Sequence, residues 1–315
     1  MNRTTAADRP AKTRVEWAAR RAAMEARDEK LTPAGARRRR WPIFKLVARA
    51  LKLGLRLSGL YALGRRNAYD IHLNALVLRV PRLPVPFDGF RILQISDPHF
   101  DGMPGLDDVA ADLIRDLSVD LMAWTGDYRL RVHGGFDHVL PSITKVARAA
   151  RASEGIVATL GNHDPADMVA PLEAHGIRVL INETMTIRRA GEAIHVTGLD
   201  DVHYFYTAQA RNALAAAPAG FRIALVHSPE AALLAAEAGF ALYLCGHTHG
   251  GQICLPGGVA IITNNQFRWR FVAGVWRCGQ MTGYTNRGLG TSGLPVRFFC
   301  RGEAALITLR RAESG

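Results

Sequence analysis

The sequence lacks a long uncharged apolar run. Its most apolar N-terminal stretch, Ile43 to Leu63, contains four cations, which make a membrane-spanning helix unfavourable. The same stretch starts too late and carries too much charge for a secretory or twin-arginine signal. The four cysteines form no C-x-x-C pair, so nothing demands a disulfide framework. These absences predict a protein of a reducing compartment, placed on the cytoplasmic face of the membrane.

The chain also lacks an excess of positive charge beyond its first 66 residues. Residues 1–66 hold 18 Lys and Arg against 5 Asp and Glu, whereas the other 249 residues hold 22 and 23. A near-neutral main part counts against a nucleic-acid partner, since nucleases carry positive charge around the cleft. The charge division predicts a basic helical arm over residues 1–66 and a catalytic domain over residues 67–315. The oligomeric state is left open.

The arm divides into two parts. Residues 1–36 are rich in Ala, Arg and Glu, which indicates either a marginal helix or disorder. Lys45, Arg49, Lys52 and Arg56 recur at spacings of 4, 3 and 4, so they form one basic stripe on a helix with apolar residues around it. This pattern favours a helix in the interface of an anionic membrane, bound through residues 37–63. The alternative is a helix packed on the catalytic domain with its cations in solvent.

Polar side chains follow five short apolar runs. Runs of this length and composition predict buried strands. The runs and the residues that follow them are 91–96 before Asp97, 121–125 before Asp127, 156–160 before Asn162, 221–226 before His227, and 240–245 before His247. Each polar residue therefore lies just beyond a strand, where open α/β sheets place their sites.

Helix-like segments alternate with these strands, which predicts an α/β fold with a helix-covered sheet. We expect helices at Asp107–Asp116, Phe136–Arg151 and Pro229–Ala238. After Gly246 the pattern changes to short strands and Gly-rich turns. That change predicts a second, largely antiparallel sheet packed on the first.

The polar side chains are of the types that bind two divalent cations. Carboxylate and amide oxygens together with imidazole nitrogens suit Mn, Fe or Zn. Asp97 and His99 lie two residues apart, as do His247 and His249, so each pair points to one side of an extended segment. Two cations that share a ligand lower the pKa of a water and neutralise charge on a phosphoryl group.

The ordered set resembles the motif blocks of the calcineurin-like metallophosphoesterase superfamily. The blocks are Asp97-Pro98-His99, Gly126-Asp127, Gly161-Asn162-His163-Asp164, His227, and Gly246-His247-Thr248-His249. The resemblance runs from about Phe90 to Leu309 and implies a four-layer α/β/β/α sandwich with two divalent metal ions, manganese being favoured.

Two longer strings, residues 246–252 and 287–293, resemble a bacterial branch of membrane-associated phosphodiesterases. That branch includes enzymes that act on UDP-2,3-diacylglucosamine in lipid A biosynthesis. The resemblance implies hydrolysis of a phosphodiester or pyrophosphate bond, with a lipid-linked nucleotide as one such substrate. A broad-specificity phosphomonoesterase and a non-catalytic metal-binding scaffold are the alternatives.

The resemblance also implies a role for each site residue. One metal would bind Asp97, His99 and His249, the other would bind Asn162, His227 and His247, and Asp127 would bridge them. His163 would protonate the leaving group, and Asp164 would orient its ring and raise its pKa.

Two further groups of residues stay open between two interpretations. Asp200 and Asp201, together with His203, either line the cleft or form an ordinary turn. Arg129 and His133 either contact a phosphate or lie in a solvated loop.

Overall fold

The computed structural model describes residues 11–27, 29–33, 35–38 and 41–312. The α-helices of these residues are α1 Ala11–Glu25, α2 Trp41–Leu57, α3 Leu60–Tyr69, α4 Leu106–Ile114, α5 Leu140–Ala149, α6 Val169–Ala174, α7 Ala208–Ala215 and α8 Ala232–Glu237. The strands are β1 Glu29–Thr32, β2 Gly35–Arg38, β3 His72–Val80, β4 Arg91–Ile95, β5 Ser118–Val119, β6 Leu121–Trp124, β7 Arg151–Ala152, β8 Ile156–Ala158, β9 Ile177–Val179, β10 Glu183–Arg189, β11 Glu192–Gly198, β12 Phe221–Leu225, β13 Leu242–Cys245, β14 Cys254–Leu255, β15 Val259–Ala260, β16 Gly274–Cys278, β17 Met281–Thr285 and β18 Glu303–Arg311.

Two six-stranded sheets form the centre of the molecule. The first has the order β3-β18-β4-β6-β8-β9, and the second has the order β10-β11-β12-β13-β17-β16. Apolar side chains from both sheets share one buried cluster, which includes Ile92, Leu121, Ile223 and Leu244. The sheets therefore pack face to face, because their strands are apolar on the inner face.

Helices cover the outer face of each sheet. Side chains of α4, α5 and α6 join the outer cluster of the first sheet, for example Ile114, Ile143 and Leu172. Those of α7 and α8 cover the second sheet, for example Leu214 and Ala235. The resulting order of layers is α/β/β/α, which confirms the predicted sandwich.

The second sheet differs from the sequence-based expectation in position and in strand direction. It begins with β10 at Glu183, before Gly246, and its four central strands β11, β12, β13 and β17 run parallel to one another. Only the edge strands β10 and β16 pair antiparallel. The expectation of a largely antiparallel sheet after Gly246 is wrong, since α7 and α8 cross over between parallel strands.

The N-terminal region forms three helices and a hairpin. Helix α1 packs on the main body, where Trp17 joins the buried cluster of the first sheet. For residues 1–36 the sequence left open a helix or disorder, and α1 agrees with the helix over Ala11–Glu25. Residues 1–10 lie outside the described part of the chain. The hairpin of β1 and β2 attaches to the main body, because the Leu31 N–H donates to the carbonyl of Tyr204 at 2.8 Å.

Helices α2 and α3 divide the predicted basic helix at Gly59, whose φ is 74°. Helix α3 packs on the body through the buried Gly64 and Ala68. In α2, Leu53 and Leu57 are 58% and 81% exposed, so the packed alternative does not hold for these side chains. None of the described helices is both long and apolar enough to cross a membrane. Arg39 and Arg40 of the predicted basic run lie outside the described residues.

Candidate metal centre

The predicted ligands lie at the carboxyl ends of parallel strands from both sheets. In the first sheet, Asp97, Asp127 and Asn162 follow β4, β6 and β8. In the second sheet, His227 and His247 follow β12 and β13. Because the sheets pack face to face, these ends meet at one edge of the sandwich.

Asp97, His99 and His249 form the first cluster of donor atoms. The Nε2 atoms of His99 and His249 are 3.2 Å apart. An oxygen of Asp97 lies 3.5 Å from His249 Nε2. All three side chains are buried.

The second cluster surrounds His227 Nε2. This atom lies 3.0 Å from the amide oxygen of Asn162 and 3.2 Å from His247 Nδ1. Asp127 stands between the two clusters: its Oδ2 is 3.5 Å from His99 Nε2 and 3.4 Å from His227 Nε2. The structure thus brings all seven predicted ligands together, with Asp127 in the bridging position, while their roles as ligands stay a prediction.

Backbone carbonyls fix which ring nitrogen of each histidine carries hydrogen. His99 Nδ1 lies 2.8 Å from the carbonyl of Arg129, and His227 Nδ1 lies 2.7 Å from that of Thr125. Each Nδ1 therefore donates a hydrogen bond, which leaves the Nε2 lone pair directed into the cluster. A carbonyl behind a ligating imidazole is the usual arrangement at metal sites.

His247 has the opposite orientation. Its Nε2 donates to the carbonyl of Asn264 at 3.0 Å, so its Nδ1 presents the lone pair to the second cluster. Lone pairs of imidazoles, carboxylates and an amide oxygen thus converge in both clusters. Since acceptors cannot satisfy one another, cations fit this donor set.

Burial and mutual charge set the protonation of the cluster. Burial lowers the pKa of His99 to about 4 and raises that of Asp97 to about 6. Burial opposes the charged forms of Asp127 and His227, but their mutual attraction lowers the pKa of Asp127 and raises that of His227. A cation bound to both residues would replace the proton on His227 Nε2 and take up its lone pair. The ionised Asp127 carboxylate therefore supplies negative charge to both clusters, which favours cations.

His163 stands at the rim of the first cluster. Its Nε2 is 3.9 Å from Asp127 Oδ2, and its Nδ1 lies 2.6 Å from the carbonyl of Leu130. The ring is the most accessible of those in the motifs, because the other four histidines are fully buried. His99, Asp127 and His163 also form a possible metal-binding group.

Asp164 does not orient the His163 ring. Its carboxylate accepts hydrogen bonds from the backbone N–H groups of Asp127, Tyr128 and Gly161 at 2.7, 2.9 and 2.8 Å. The Leu130 carbonyl takes the place predicted for this carboxylate. Asp164 instead joins the loop after β8 to the loop after β6, because its carboxylate accepts from both.

Residues of both open groups have structural partners. Arg129 donates to the carbonyls of His163, Val132 and Gly134, so it braces a loop. Asp201 accepts from the backbone N–H groups of His203 and Tyr204, as in an ordinary turn.

His203 has a second partner of a different kind. Its Nδ1 lies 2.8 Å from Glu230 Oε1, and the two residues form a further possible metal-binding group with His247.

Two buried arginines near the site were missed by the sequence analysis. Arg297 donates to the carbonyls of His249, Gly288 and Gly290, and thereby braces the loop that holds a predicted ligand. Arg21 of α1 donates to the carbonyl of Asp164. No local pattern marks either residue, because their partners are backbone carbonyls or distant in sequence.

The chain is similar to known metal-dependent phosphoesterases. The family model described as calcineurin-like phosphoesterase matches residues 90–251. An uncharacterized metallophosphoesterase of Bacillus subtilis, YkuE, is 33% identical over 72% of this chain and 82% of the relative. Phosphodiesterase YaeI of Escherichia coli is 28% identical over 70% of this chain and 82% of the relative.

Among solved structures, the phosphopantetheinyl hydrolase PptH of Mycobacterium tuberculosis is similar with a TM-score of 0.41 and 13% identity, covering 63% of this chain and 89% of that one. Membership rests on the family model and on YkuE. The chain belongs to the calcineurin-like phosphoesterase family and is a metal-dependent phosphoester hydrolase.

Proposed function

We propose that the protein hydrolyses a phosphodiester or pyrophosphate bond with two divalent cations, manganese being favoured. The observation that carries the proposal is the pair of donor clusters joined by Asp127. The relative named a phosphodiesterase supports a diester over a monoester.

Each cluster would hold one cation. Asp97, His99 and His249 would bind the first, Asn162, His227 and His247 the second, and Asp127 both. When bound, the cations supply Lewis acidity and lower the pKa of a coordinated water. The protein residues hold the donors in place before substrate arrives, which is the preorganisation that such sites require.

In the proposed reaction, a water that has released one proton to solvent forms a bond from its oxygen to phosphorus, and the bond from phosphorus to the leaving oxygen breaks. His163 would donate the proton that the leaving oxygen acquires, from Nε2, because Nδ1 is held by the Leu130 carbonyl. Asp164 would act indirectly, by fixing the loops that carry Asp127 and His163.

The test is hydrolysis of a bis-aryl phosphate diester against the matching aryl phosphate, with added Mn²⁺. We expect diester turnover that depends on Mn²⁺ and is lost in Asp127→Asn. Turnover of the monoester alone would contradict the proposal and indicate a phosphomonoesterase. Absence of both activities with two Mn²⁺ bound would contradict the assigned chemistry.

The proposal extends to a lipid-linked substrate, such as UDP-2,3-diacylglucosamine, at the cytoplasmic face of the membrane. It is supported by the basic and apolar character of α2, in which Leu46, Leu53 and Leu57 are exposed together with Arg49 and Arg56. Cations beside exposed apolar side chains suit an anionic lipid surface.

A second apolar surface lies close to the second cluster. Residues 255–269 form this surface. They lie next to the second cluster, because the carbonyl of Asn264 accepts a hydrogen bond from His247 Nε2 at 3.0 Å. Its exposed side chains are Leu255, Val259, Ile261, Ile262 and Trp269. Exposed apolar groups at the rim of a site are suited to acyl chains.

Point variants of α2 test membrane binding better than deletion of the arm, because deletion would also remove the docked α1. We expect Leu53→Glu with Leu57→Glu to abolish sedimentation with vesicles of phosphatidylglycerol, while Mn²⁺-dependent hydrolysis of the soluble diester is retained. The matched control is Val15→Glu with Ala19→Glu, which places two acids on the exposed face of α1. Equal vesicle binding by wild type and the α2 variant would contradict the membrane proposal.

A further inference from the structure

Helix α1 lies beside the metal centre rather than apart from it. A cavity of about 190 Å³ next to His163 is lined by Glu25 of α1, together with Asn162 and Phe205 among others. The Glu25 carboxylate accepts a hydrogen bond from the Ala166 N–H at 2.9 Å, just after the loop that carries His163. The helix therefore forms one wall of the cleft.

We propose that Arg21 of α1 is a positioning residue for the loop of residues 161–164. This inference rests on the proposed function, in which that loop supplies the metal ligand Asn162 and the proton donor His163. The Arg21 side chain is 1% exposed. Its Nη2 donates to the carbonyl of Asp164 at 2.8 Å and approaches that of Gly161 at 3.4 Å.

The other end of the Arg21 guanidinium is fixed to the second sheet. Its Nη1 pairs with the carboxylate of Asp200, which follows β11. Asp200 is itself held, since it accepts from Trp17 Nε1 at 2.7 Å and its N–H donates to Asn182 at 3.2 Å. One end of the guanidinium thus contacts the loop after β8 of the first sheet, and the other contacts the loop after β11 of the second.

This connection matters because the second cluster draws its donors from both sheets. Asn162 comes from the first sheet, whereas His227 and His247 come from the second. A change in the separation of the sheet ends would move Asn162 relative to the two imidazoles. By fixing that separation, Arg21 sets the geometry of one cluster without contacting it.

The chemistry of this position requires arginine. A planar guanidinium has five donors and bonds a carboxylate and a carbonyl at the same time, whereas a lysine ammonium acts as a point charge. The guanidinium also lies 3.6 Å from the centre of the Phe205 ring, which holds its plane. Lysine would keep the charge near Asp200 but lose this fixed geometry.

The same helix supplies two matched controls. Arg14 anchors the first half of α1 through ion pairs to Glu173 and Glu183, both at 2.8 Å, away from the loop. Arg20 is exposed. Arg14→Gln therefore tests the docking of the helix alone, and Arg20→Gln tests the loss of a helical cation.

The experiment measures Mn²⁺ binding by calorimetry and diester hydrolysis for the full chain carrying Arg21→Lys or Arg21→Gln. We expect each variant to weaken one of two Mn²⁺ sites by about tenfold and to lower kcat more than it raises KM, as loss of a supporting contact does at metal sites. Added guanidinium should restore part of the kcat of Arg21→Gln. Arg20→Gln should match wild type, and Arg14→Gln should keep both Mn²⁺ affinities.

Two results would overturn the proposal: Mn²⁺ affinities in both Arg21 variants equal to wild type, or losses in Arg14→Gln as large as those in Arg21→Lys. Should Arg21→Gln fail to fold, Arg21→Lys alone decides between the outcomes, since it retains the charge opposite Asp200. These failures are distinct from failure of the proposed function, which would leave the wild-type protein itself without Mn²⁺-dependent diester hydrolysis.

Discussion

At the residue scale, the candidate metal centre is built on backbone conformations that most side chains avoid. Asp97, His99, Asp127, His247 and His249 have φ values of 49°, 43°, 59°, 71° and 50°. Such positions cost roughly 1–3 kcal/mol each and persist where surrounding contacts hold them. One such contact is the His247 N–H, which donates to the Asp97 carboxylate at 2.9 Å. Tight turns after strands thus aim five of the seven donors inward.

The motif glycines are needed for close packing of these turns. A Cβ on Gly161 would overlap the backbone nitrogen and the carboxylate of Asp127, and one on Gly246 would overlap Ser96 and Asp97. The glycines of the G-D, G-N-H-D and G-H-x-H blocks therefore belong to the site as much as the ligands do.

We predict that Gly161→Ala reduces diester hydrolysis by about 10²-fold, because a shift of Asp127 by an ångström is enough for a loss of that size. Activity and Mn²⁺ stoichiometry would be measured together. Gly135→Ala is the control, since a Cβ there meets no atom within 4 Å. Wild-type activity in Gly161→Ala would show that the two loops can separate without harm to the site.

At the scale of elements, the sequence predicted the strands that precede the predicted ligands, because a short apolar run marks each of them. The strands before Asp97, Asp127 and His227 were expected at residues 91–96, 121–125 and 221–226 and are observed at Arg91–Ile95, Leu121–Trp124 and Phe221–Leu225. The two β-sheets were harder to assign, since strand direction depends on crossovers such as α7, which has no strong amphipathic pattern.

Contacts between distant segments could not be predicted. Arg21 and Asp200 are 179 residues apart, and neither lies in a motif. Composition separated residues 1–66 from the rest by charge, but charge does not reveal that Trp17 and Arg21 are buried. The division into an arm and a catalytic domain at residue 66 remains a prediction. In the structure, the packing of α1 joins the first part of that arm to the main body.

Helix α3 is the element that connects the exposed α2 to the site. Gly64 faces the segment that carries Arg297, and a Cβ at this position would lie 2.7 Å from the Phe298 ring and 2.8 Å from Val296. The Arg297 N–H also donates to the Gly64 carbonyl at 2.9 Å. Because Arg297 braces the His249 loop, the docking of α3 supports the first cluster.

We predict that Gly64→Val lowers the free energy of unfolding by about 1–3 kcal/mol, as overpacking does, and reduces diester hydrolysis. Urea unfolding and activity would be compared with Gly54→Ala in α2, where a Cβ meets open space. The control should be neutral or more stable by up to about 1 kcal/mol, since Ala favours a helix over Gly. Equal stability of Gly64→Val and wild type would mean that α3 does not pack as described.

At the scale of the whole molecule, the candidate metal centre joins the two halves of the sandwich. Asp97, His99, Asp127 and Asn162 come from the first sheet, and the three remaining imidazoles come from the second. The buried acceptors at this junction face one another: His99 Nε2 and His249 Nε2, for example, are 3.2 Å apart. Such groups are destabilising without cations between them, because buried acceptors need partners.

Removal of metal should therefore weaken the whole fold. We predict that the chelated protein melts at a lower temperature than the Mn²⁺-loaded protein, and that Mn²⁺ at 100 times its Kd adds about 2.7 kcal/mol to the free energy of unfolding per site. Differential scanning calorimetry across a Mn²⁺ titration measures the shift. Asp127→Asn is the matched control, because it removes one negative charge shared by both clusters, and its melting temperature should respond much less. If the melting temperatures of wild type and Asp127→Asn rose equally with Mn²⁺, the stabilising ions would bind elsewhere, and the two clusters would not be what holds the sheet ends together.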